Sequence, residues 1–225
     1  MPSEREILDD FRGTARLFPL PKLVLFPHVV QGLHIFEPRY RDMMTDSLAD
    51  DRLMALVLLQ EGWDLNYEDR PRIESVACLG RVGAHELLPD GRYNLRLHGL
   101  SRIRIVQEID SDNPYRLAEV ELLDDVSTVD LGELKRLRSL VSAAVLPRFP
   151  DDGQAHRQLD ELFRSETPLG PLCDMLSYAL PLPLDLKQQL LAEVDVQVRA
   201  EVLADALTVK TAARDRKFPP DFSMN

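Results

Sequence analysis

The sequence is short of the residues on which several common activities depend. Its 225 residues include only two cysteines, Cys78 and Cys173, and both lie within apolar patterns, which favours buried free thiols over a disulfide. The five histidines are scattered without metal-ligand spacing, and no Gly-Lys pair is present to end a phosphate-binding loop. We therefore expect no metal, no cofactor and no enzyme activity. The low cysteine content also fits a cytoplasmic protein.

Positive charge is scarce as well. The chain carries 27 lysines and arginines against 38 aspartates and glutamates, so its formal net charge is −11 at pH 7. Neither half of the sequence has a basic surplus. Because non-specific binding to nucleic acid is driven mainly by cationic contacts to phosphates, this balance argues against a nucleic-acid partner.

An unbroken apolar run long enough for a membrane span is also missing. The nearest candidate is "LFPLPKLVLFPHVVQGLHIFEPRY", residues 17–40, but Pro19, Pro21 and Pro27 would repeatedly break a helix. Acidic residues precede the stretch, unlike the basic start of a signal peptide. We interpret it as core strands separated by proline turns, with residues 23–26 forming a buried strand.

The remainder of the first half has the features of an α+β protein's sheet. Glu37-Pro38 predicts the start of a helix, and residues 52–60 predict a buried strand. Residues 76–122 then alternate with a period of two around a "PDG" turn, which indicates a meander with one buried face. On this pattern Arg96, Arg102 and Arg104 share the solvated face, where glutamates of the next strand, Glu119 and Glu121, would pair with them.

The second half changes to helical periodicity. One apolar stripe runs from Leu131 to Val145, Thr167-Pro168 starts a later helix, and Asp195 caps the last one. Strands followed by helices predict an α+β fold with two lobes. We expect a β-rich lobe over residues 1–125, a helical lobe over 126–213 and a tail over 214–225.

Three separated segments resemble the Lon substrate-binding (Lon N-terminal) domain family. They are "LFPLPKLVLFPHVVQGLHIFEPRYRDMM" from residue 17, "SVACLGRVGAHELLPDGRYNLRLHGLSRIRI" from residue 75, and "YALPLPLDLKQQLLAEVDVQVRAEVL" from residue 178. They occur in the family's order and together cover most of the chain. The departure is "VVQGLHIF", residues 29–36, whose Gln31-Gly32 differs from the family's usual local turn.

This resemblance implies a fold and a function. The first lobe would be a twisted β pseudo-barrel similar to PUA domains, and the second a C-terminal helical bundle. The ATPase and serine–lysine protease domains of Lon protease are not in this sequence, so the resemblance implies a stand-alone, non-catalytic module. Its expected partner is an unfolded polypeptide or another protein, with no membrane.

Trp63 is our candidate for the contact surface. It is the only tryptophan, it lies in the polar stretch "EGWDLNYEDR", and Tyr67 follows four residues later. Nearby carboxylates favour basic-hydrophobic peptides: Glu61, Asp64, Glu68 and Asp69. The alternative is that Trp63 folds back over an edge of the β lobe. The alternative function is RNA binding, through the PUA-like lobe and Arg96, Arg102 and Arg104.

Overall fold

A computed structural model describes residues 3–65, 70–151 and 153–214, and this part of the chain holds six strands and seven helices. The strands are β1 (Thr14–Leu20), β2 (Val30–Ile35), β3 (Leu53–Leu58), β4 (Val76–Leu87), β5 (Tyr93–Ile109) and β6 (Arg116–Leu123). The helices are α1 (Glu4–Asp9), α2 (Pro38–Ala49), α3 (Leu131–Val145), α4 (Gln154–Arg164), α5 (Leu169–Ala179), α6 (Leu184–Ala192) and α7 (Val196–Arg214). The predicted α+β class is confirmed.

The six strands form one sheet in the order β2-β5-β4-β3-β1-β6, and β6 pairs with β5 as well. Strands β1, β3, β4, β5 and β6 therefore close on themselves, while β2 extends the sheet beside β5. The β1–β3 pair is parallel, and the other named pairs are antiparallel. In the described residues β2 has no strand partner other than β5.

The interior of this closed arrangement is apolar. All six residues of β3 are buried, as its uninterrupted apolar run predicts. One cluster of buried side chains includes Leu17, Ala55, Leu79 and Ile103, and half-buried residues of α1 and the segment after it pack against it. Cys78 and Cys173 are buried free thiols, as predicted. Burial raises the pKa of the Cys78 thiol, because an apolar surrounding disfavours the thiolate.

The prediction of a buried strand at residues 23–26 is wrong. Val24, Leu25 and Phe26 are buried, but they lie in an irregular segment between β1 and β2. Prolines at 21 and 27 lack the N–H that strand pairing needs on either side of this segment. The chain is instead fastened by His28, whose backbone N–H donates to the Gly99 carbonyl at 2.9 Å.

Arg102 also departs from its predicted position. Only 2% of it is exposed, and its guanidinium makes two hydrogen bonds to the Asp174 carboxylate, one of them at 2.9 Å. Its Nε donates to the Leu191 carbonyl at 2.8 Å, and Nη1 lies 3.2 Å from the Asp125 carboxylate. The prediction that three arginines share a solvated face is therefore wrong for Arg102, which is buried. The pairing of Arg104 with Glu121, at 3.4 Å, is confirmed.

Contacts divide the chain into two compact units. The first combines described residues of Met1–Val126 with Asp174–Val194, so α6 and most of α5 belong with the sheet. Within it, the Gln188 side-chain amide donates to the Val76 carbonyl at 2.9 Å, which attaches α6 to β4. The predicted β-rich lobe over residues 1–125, helical lobe over 126–213 and tail over 214–225 remain predictions; of the tail, only Arg214 lies in the described residues.

The second unit combines described residues of Ser127–Cys173 and Asp195–Asn225. Helix α3 packs on α7 and buries Leu137, Val141 and Val145. Leu131 is 77% exposed, so its predicted place in the buried stripe is wrong; it stands at the first turn, outside the packed part of α3. The predicted cap is confirmed, because Asp195 Oδ1 accepts the backbone N–H groups of Gln197 and Val198.

Candidate functional site

One face of the sheet remains open where β2, the first half of β5 and the end of β4 lie side by side. Strand register places their exposed residues in rows across the three strands. We call this surface the open face and define it by these residues: Val30, Gly32, His34, Arg81, Gly83, Glu86, Asn94, Arg96 and His98. Tyr93, Leu95 and Leu97 alternate with its β5 members and are buried, as the period of two predicts.

Two glycines shape the open face. A Cβ atom on Gly32 would have no atom within 4 Å, so this position is an empty space on the surface. At Gly83, a Cβ atom would lie 2.6 Å from Nε2 of His98, so the imidazole ring occupies the place of the missing side chain. The result is a groove of about 560 Å³ along the open face.

The border of the groove is apolar. Val30 and Phe36, at alternate positions with Gly32 and His34, are 48% and 60% exposed, large fractions for apolar side chains. The rings of Phe36 and His34 stack with their centroids 6.2 Å apart, and His34 Nδ1 lies 2.8 Å from Asn94 Oδ1. Exposed apolar groups around a polar, concave centre are typical of surfaces that bind other molecules.

The charge of the open face is opposite to that of the chain as a whole. Among the described residues, no carboxylate lies within ion-pair distance of Arg81 or Arg96. Glu86 is the acidic residue that lines the groove. The open face therefore carries two arginines without such ion pairs against one carboxylate, on a chain whose net charge is −11; of these three residues, Arg96 and Glu86 line the groove itself.

Helix α5 supports β2 from within the same unit. The Tyr178 hydroxyl donates to the Gln31 side-chain carbonyl, and the Gln31 amide donates to the Gly32 carbonyl at 2.6 Å. Lys187 Nζ donates to the Tyr178 carbonyl at 2.7 Å. Burial raises the pKa of Tyr178 and lowers the pKa of Lys187, because desolvation disfavours both charged forms. These bonds hold β2 in place without occupying the groove.

The two predicted site residues have different outcomes. Trp63 begins a single 3₁₀ turn, Trp63–Leu65, and is half-buried. Tyr67 lies outside the described residues. The prediction that both bind peptides stays a prediction. Sequence reasoning missed the groove itself, although the alternation along residues 93–98 and glycines at 32 and 83 were signals for a shaped open surface.

Catalytic chemistry finds little support in the described residues. Over residues 3–65, 70–151 and 153–214, no three histidine, cysteine or carboxylate side chains are grouped so that they would hold a metal ion. No helix in these ranges is both long and apolar enough to cross a membrane.

One known protein family matches most of this chain. The model of the ATP-dependent protease La (LON) substrate-binding domain matches residues 14–209, and the chain belongs to this family. The matched residues include every strand and all seven helices except α1 and the end of α7.

The curated relatives are much longer proteins. The chain is 26% identical over 208 residues to Lon protease of Anaeromyxobacter dehalogenans, covering 90% of this chain and 24% of the relative. Lon protease 2 of Myxococcus xanthus gives the same identity and coverage. Lon protease of Heliobacterium modesticaldum is 28% identical over 200 residues, covering 85% of this chain and 23% of the relative. The chain thus spans about a quarter of these relatives' length.

Two solved structures share the fold. A Lon N-terminal domain protein from Xanthomonas campestris superposes with a TM-score of 0.62 at 25% identity, covering 85% of this chain and 97% of that one. The N-terminal domain of Mycobacterium avium complex Lon protease gives a TM-score of 0.69 at 18% identity, covering 87% and 98%. The second likeness concerns the fold alone.

Proposed function

We propose that this chain is a non-catalytic recognition module that binds extended polypeptide segments in the groove of the open face. The observation that carries the proposal is the concave groove of the open face, with Arg96 in its lining and exposed apolar side chains on the same face, in a chain of the Lon substrate-binding family. The closed arrangement of five strands supports the finer description of the first unit as a PUA-like pseudo-barrel, and α3 packed on α7 supports a helical bundle.

The geometry of β2 favours an extended ligand. An edge strand carries backbone N–H and C=O groups that another strand can pair with, and β2 has one strand partner in the described residues. Its six residues span about 20 Å, enough for a bound segment of similar length. Backbone pairing would supply affinity for many sequences, and the groove beside β2 would select side chains.

Charge then determines which segments bind best. Arg96 lies in the centre of the open face beside Gly32, and Arg81 lies at one end beside His98. Apolar segments with one or two carboxylates complement this surface. This preference differs from the basic-hydrophobic peptides expected at the acidic Trp63 stretch, so the ligand's charge distinguishes the two surfaces.

RNA binding is the alternative function, and it is based on three arginines. Of these, only Arg96 is an exposed cation without an ion pair in the described residues. Arg102 is buried against Asp174, and Arg104 is paired with Glu121. Arg96 alone is too small a basic surface for the phosphate contacts that such binding needs. The alternative is included in the test below.

Fluorescence anisotropy tests the proposal directly. Labelled casein, which is unfolded and acidic, is titrated with the wild-type protein and with Gly32→Glu. The Cβ position of Gly32 faces empty space, so a glutamate there should fold normally while filling the groove and repelling carboxylates. We expect binding to weaken about tenfold or more, since apolar contact and an attractive charge are both lost.

Two controls sharpen this experiment. Gly32→Ala adds one methyl group in open space and should bind casein nearly as the wild type does. Val106→Glu adds the same charge at another exposed position of β5, beyond the open face, and should bind normally. Equal binding by wild type and Gly32→Glu would contradict the proposed surface. Tighter binding to labelled single-stranded RNA than to casein would favour the alternative function.

A further inference from the structure

A second hollow of about 520 Å³ lies at one end of the open face. It shares Ala84 with the groove, so the two spaces adjoin at β4. We call it the end pocket and define it by six residues: Ile7, Arg52, Arg81, Val82, His98 and Leu100. All of them belong to the first compact unit.

Two guanidinium groups line the end pocket. Arg81 is the register partner of His98 on one side and of Leu53 on the other, which places it between β5 and β3. Arg52 lies next to it, since the Arg52 carbonyl accepts the Val82 N–H at 2.8 Å. In the described residues neither guanidinium has a carboxylate within ion-pair distance, although most of the chain's charges are negative.

The position of Arg52 is held by the backbone at a conformational cost. Its φ is +65°, a left-handed conformation that is uncommon for a long side chain. Its N–H donates to the Ser47 carbonyl at 2.8 Å, and its carbonyl is occupied by Val82. With both backbone groups engaged, the turn directs the chain so that this arginine lines the pocket next to Arg81.

The rest of the end pocket is largely apolar. Val82 and Leu100 are buried, and Ile7 of α1 packs against the cluster of buried side chains inside the closed sheet. Glu4 also lines the pocket and is its one carboxylate, against two guanidinium groups and the His98 imidazole. The pocket therefore accommodates one apolar side chain together with an anionic group.

We propose that the end pocket binds the carboxyl terminus of a polypeptide, with Arg52 and Arg81 holding the terminal carboxylate and an apolar last side chain filling the space. This inference rests on the proposed function, because the preceding residues of the ligand lie in the groove. A terminal carboxylate is the one anion that every polypeptide carries next to a side chain, which matches the paired apolar and cationic surfaces.

Matched peptides test the proposal on the intact protein. A peptide of about eight residues, long enough to follow β2, is labelled at its amino end, ends in leucine and is made as the free acid and as the amide. A third peptide has the amide end and one added glutamate near the label, which restores the net charge. We expect the free acid to bind about tenfold more tightly than either amide.

The protein variants locate the effect. In Arg52→Gln with Arg81→Gln, the free acid should bind no more tightly than the amide. Arg104→Gln removes one positive charge from an exposed, paired position of β5 and should keep the tenfold preference. Thermal melting checks that each variant is folded.

The outcomes separate this inference from the proposed function. If the wild type binds the acid and the amide equally, the inference that the end pocket holds a terminal carboxylate is wrong. Binding of both peptides would still support the proposed function of the groove. A preference for the acid that survives in the folded double variant also overturns it. If none of the three peptides binds and Gly32→Glu does not change casein binding, the proposed function fails as well.

Discussion

Two arginines on the same strand show how differently the two halves of β5 are used. Arg96 and Arg102 are six positions apart on β5, and each is followed by an apolar residue that is buried. Arg96 stands exposed on the open face without an ion pair in the described residues. Arg102 is buried, with Asp174, Asp125 and the Leu191 carbonyl around its guanidinium.

The difference begins at Gly99. The pairing of β4 with β5 shifts register between Leu79 and Gly80, which face Ser101 and Gly99. Beyond that shift, residues of α5 and α6 supply the groups that surround Arg102. A buried guanidinium is stable only where such groups are fixed around it, whereas an exposed one remains available to a ligand. The second half of β5 thus contributes to stability through buried contacts, while the first half carries the binding surface that we propose.

The largest expected effect comes from breaking the buried half. Arg102→Met removes both hydrogen bonds from Arg102 to the buried Asp174 carboxylate and the bond to the Leu191 carbonyl, and we expect the free energy of unfolding to fall by about 3–5 kcal/mol. Urea denaturation measures this change. Arg104→Met, which removes the exposed partner of Glu121 on the same strand, should cost no more than about 0.5 kcal/mol.

A second variant tests the cause. Arg102→Met combined with Asp174→Leu removes both charges of this pair, so the two stability changes should not add, and the double variant should be more stable than their sum predicts. If Arg102→Met and Arg104→Met had equal effects, the two halves would not differ as the contacts indicate.

The next largest effect concerns two glycines, Gly99 in the middle of β5 and Gly32 of β2 on the open face. A Cβ atom on Gly99 would lie 2.0 Å from the Phe26 carbonyl oxygen and 3.2 Å from Cys78 Sγ. Gly99→Ala must therefore displace backbone, and we expect a loss of about 2–3 kcal/mol in unfolding free energy. Gly32→Ala, in open space, should change it by less than about 0.5 kcal/mol. A tolerated Gly99→Ala would show that residues 26–29 shift easily.

Features of the fold that depend on local sequence were predictable. The apolar run of β3, the Pro38 start of α2 and the Asp195 cap of α7 each carry their own signal within a few residues. The irregular segment at 23–26 was not, because buried strand and buried loop have the same composition. Its proline flanks, at 21 and 27, were the available warning.

The sites depended on partners that are distant in sequence. Arg102 is buried because of Asp174, 72 positions away, and no pattern around residue 102 indicates that contact. The groove needs β2 beside β5, and the end pocket needs Arg52 beside Val82. Alternation predicted which residues of β5 face outwards, but only tertiary structure brings the empty space at Gly32 next to Arg96.

A smaller, pH-dependent effect is expected at another buried contact. The Tyr115 hydroxyl donates to Asp46 at 2.6 Å, and burial together with that carboxylate raises the pKa of Tyr115 to about 12. Below about pH 10 the phenol is neutral in both states, and above it the unfolded chain ionises first. Stability should therefore fall between about pH 10 and 12.

Tyr115→Phe provides the comparison for this effect. The variant loses the hydrogen bond, so its unfolding free energy is lower at neutral pH, but it lacks this contribution to the alkaline decline. Urea denaturation at several pH values measures both. Identical alkaline slopes for the two proteins would mean that Tyr115 ionises normally in the folded state.

The smallest effect on stability is expected at Arg96, the exposed member of the first comparison. Since Arg96 has no ion pair among the described residues, Arg96→Gln should leave the unfolding free energy within about 0.5 kcal/mol of the wild type. Its effect should appear in binding instead. We expect an acidic, apolar peptide to bind about threefold more weakly at low salt, and the difference to disappear near 1 M salt, where charges on a surface are screened. Arg104→Gln serves as the matched control and should leave peptide affinity unchanged at both salt concentrations. A loss of stability in Arg96→Gln without a change in binding would assign Arg96 to the scaffold and leave the open face without its central cation.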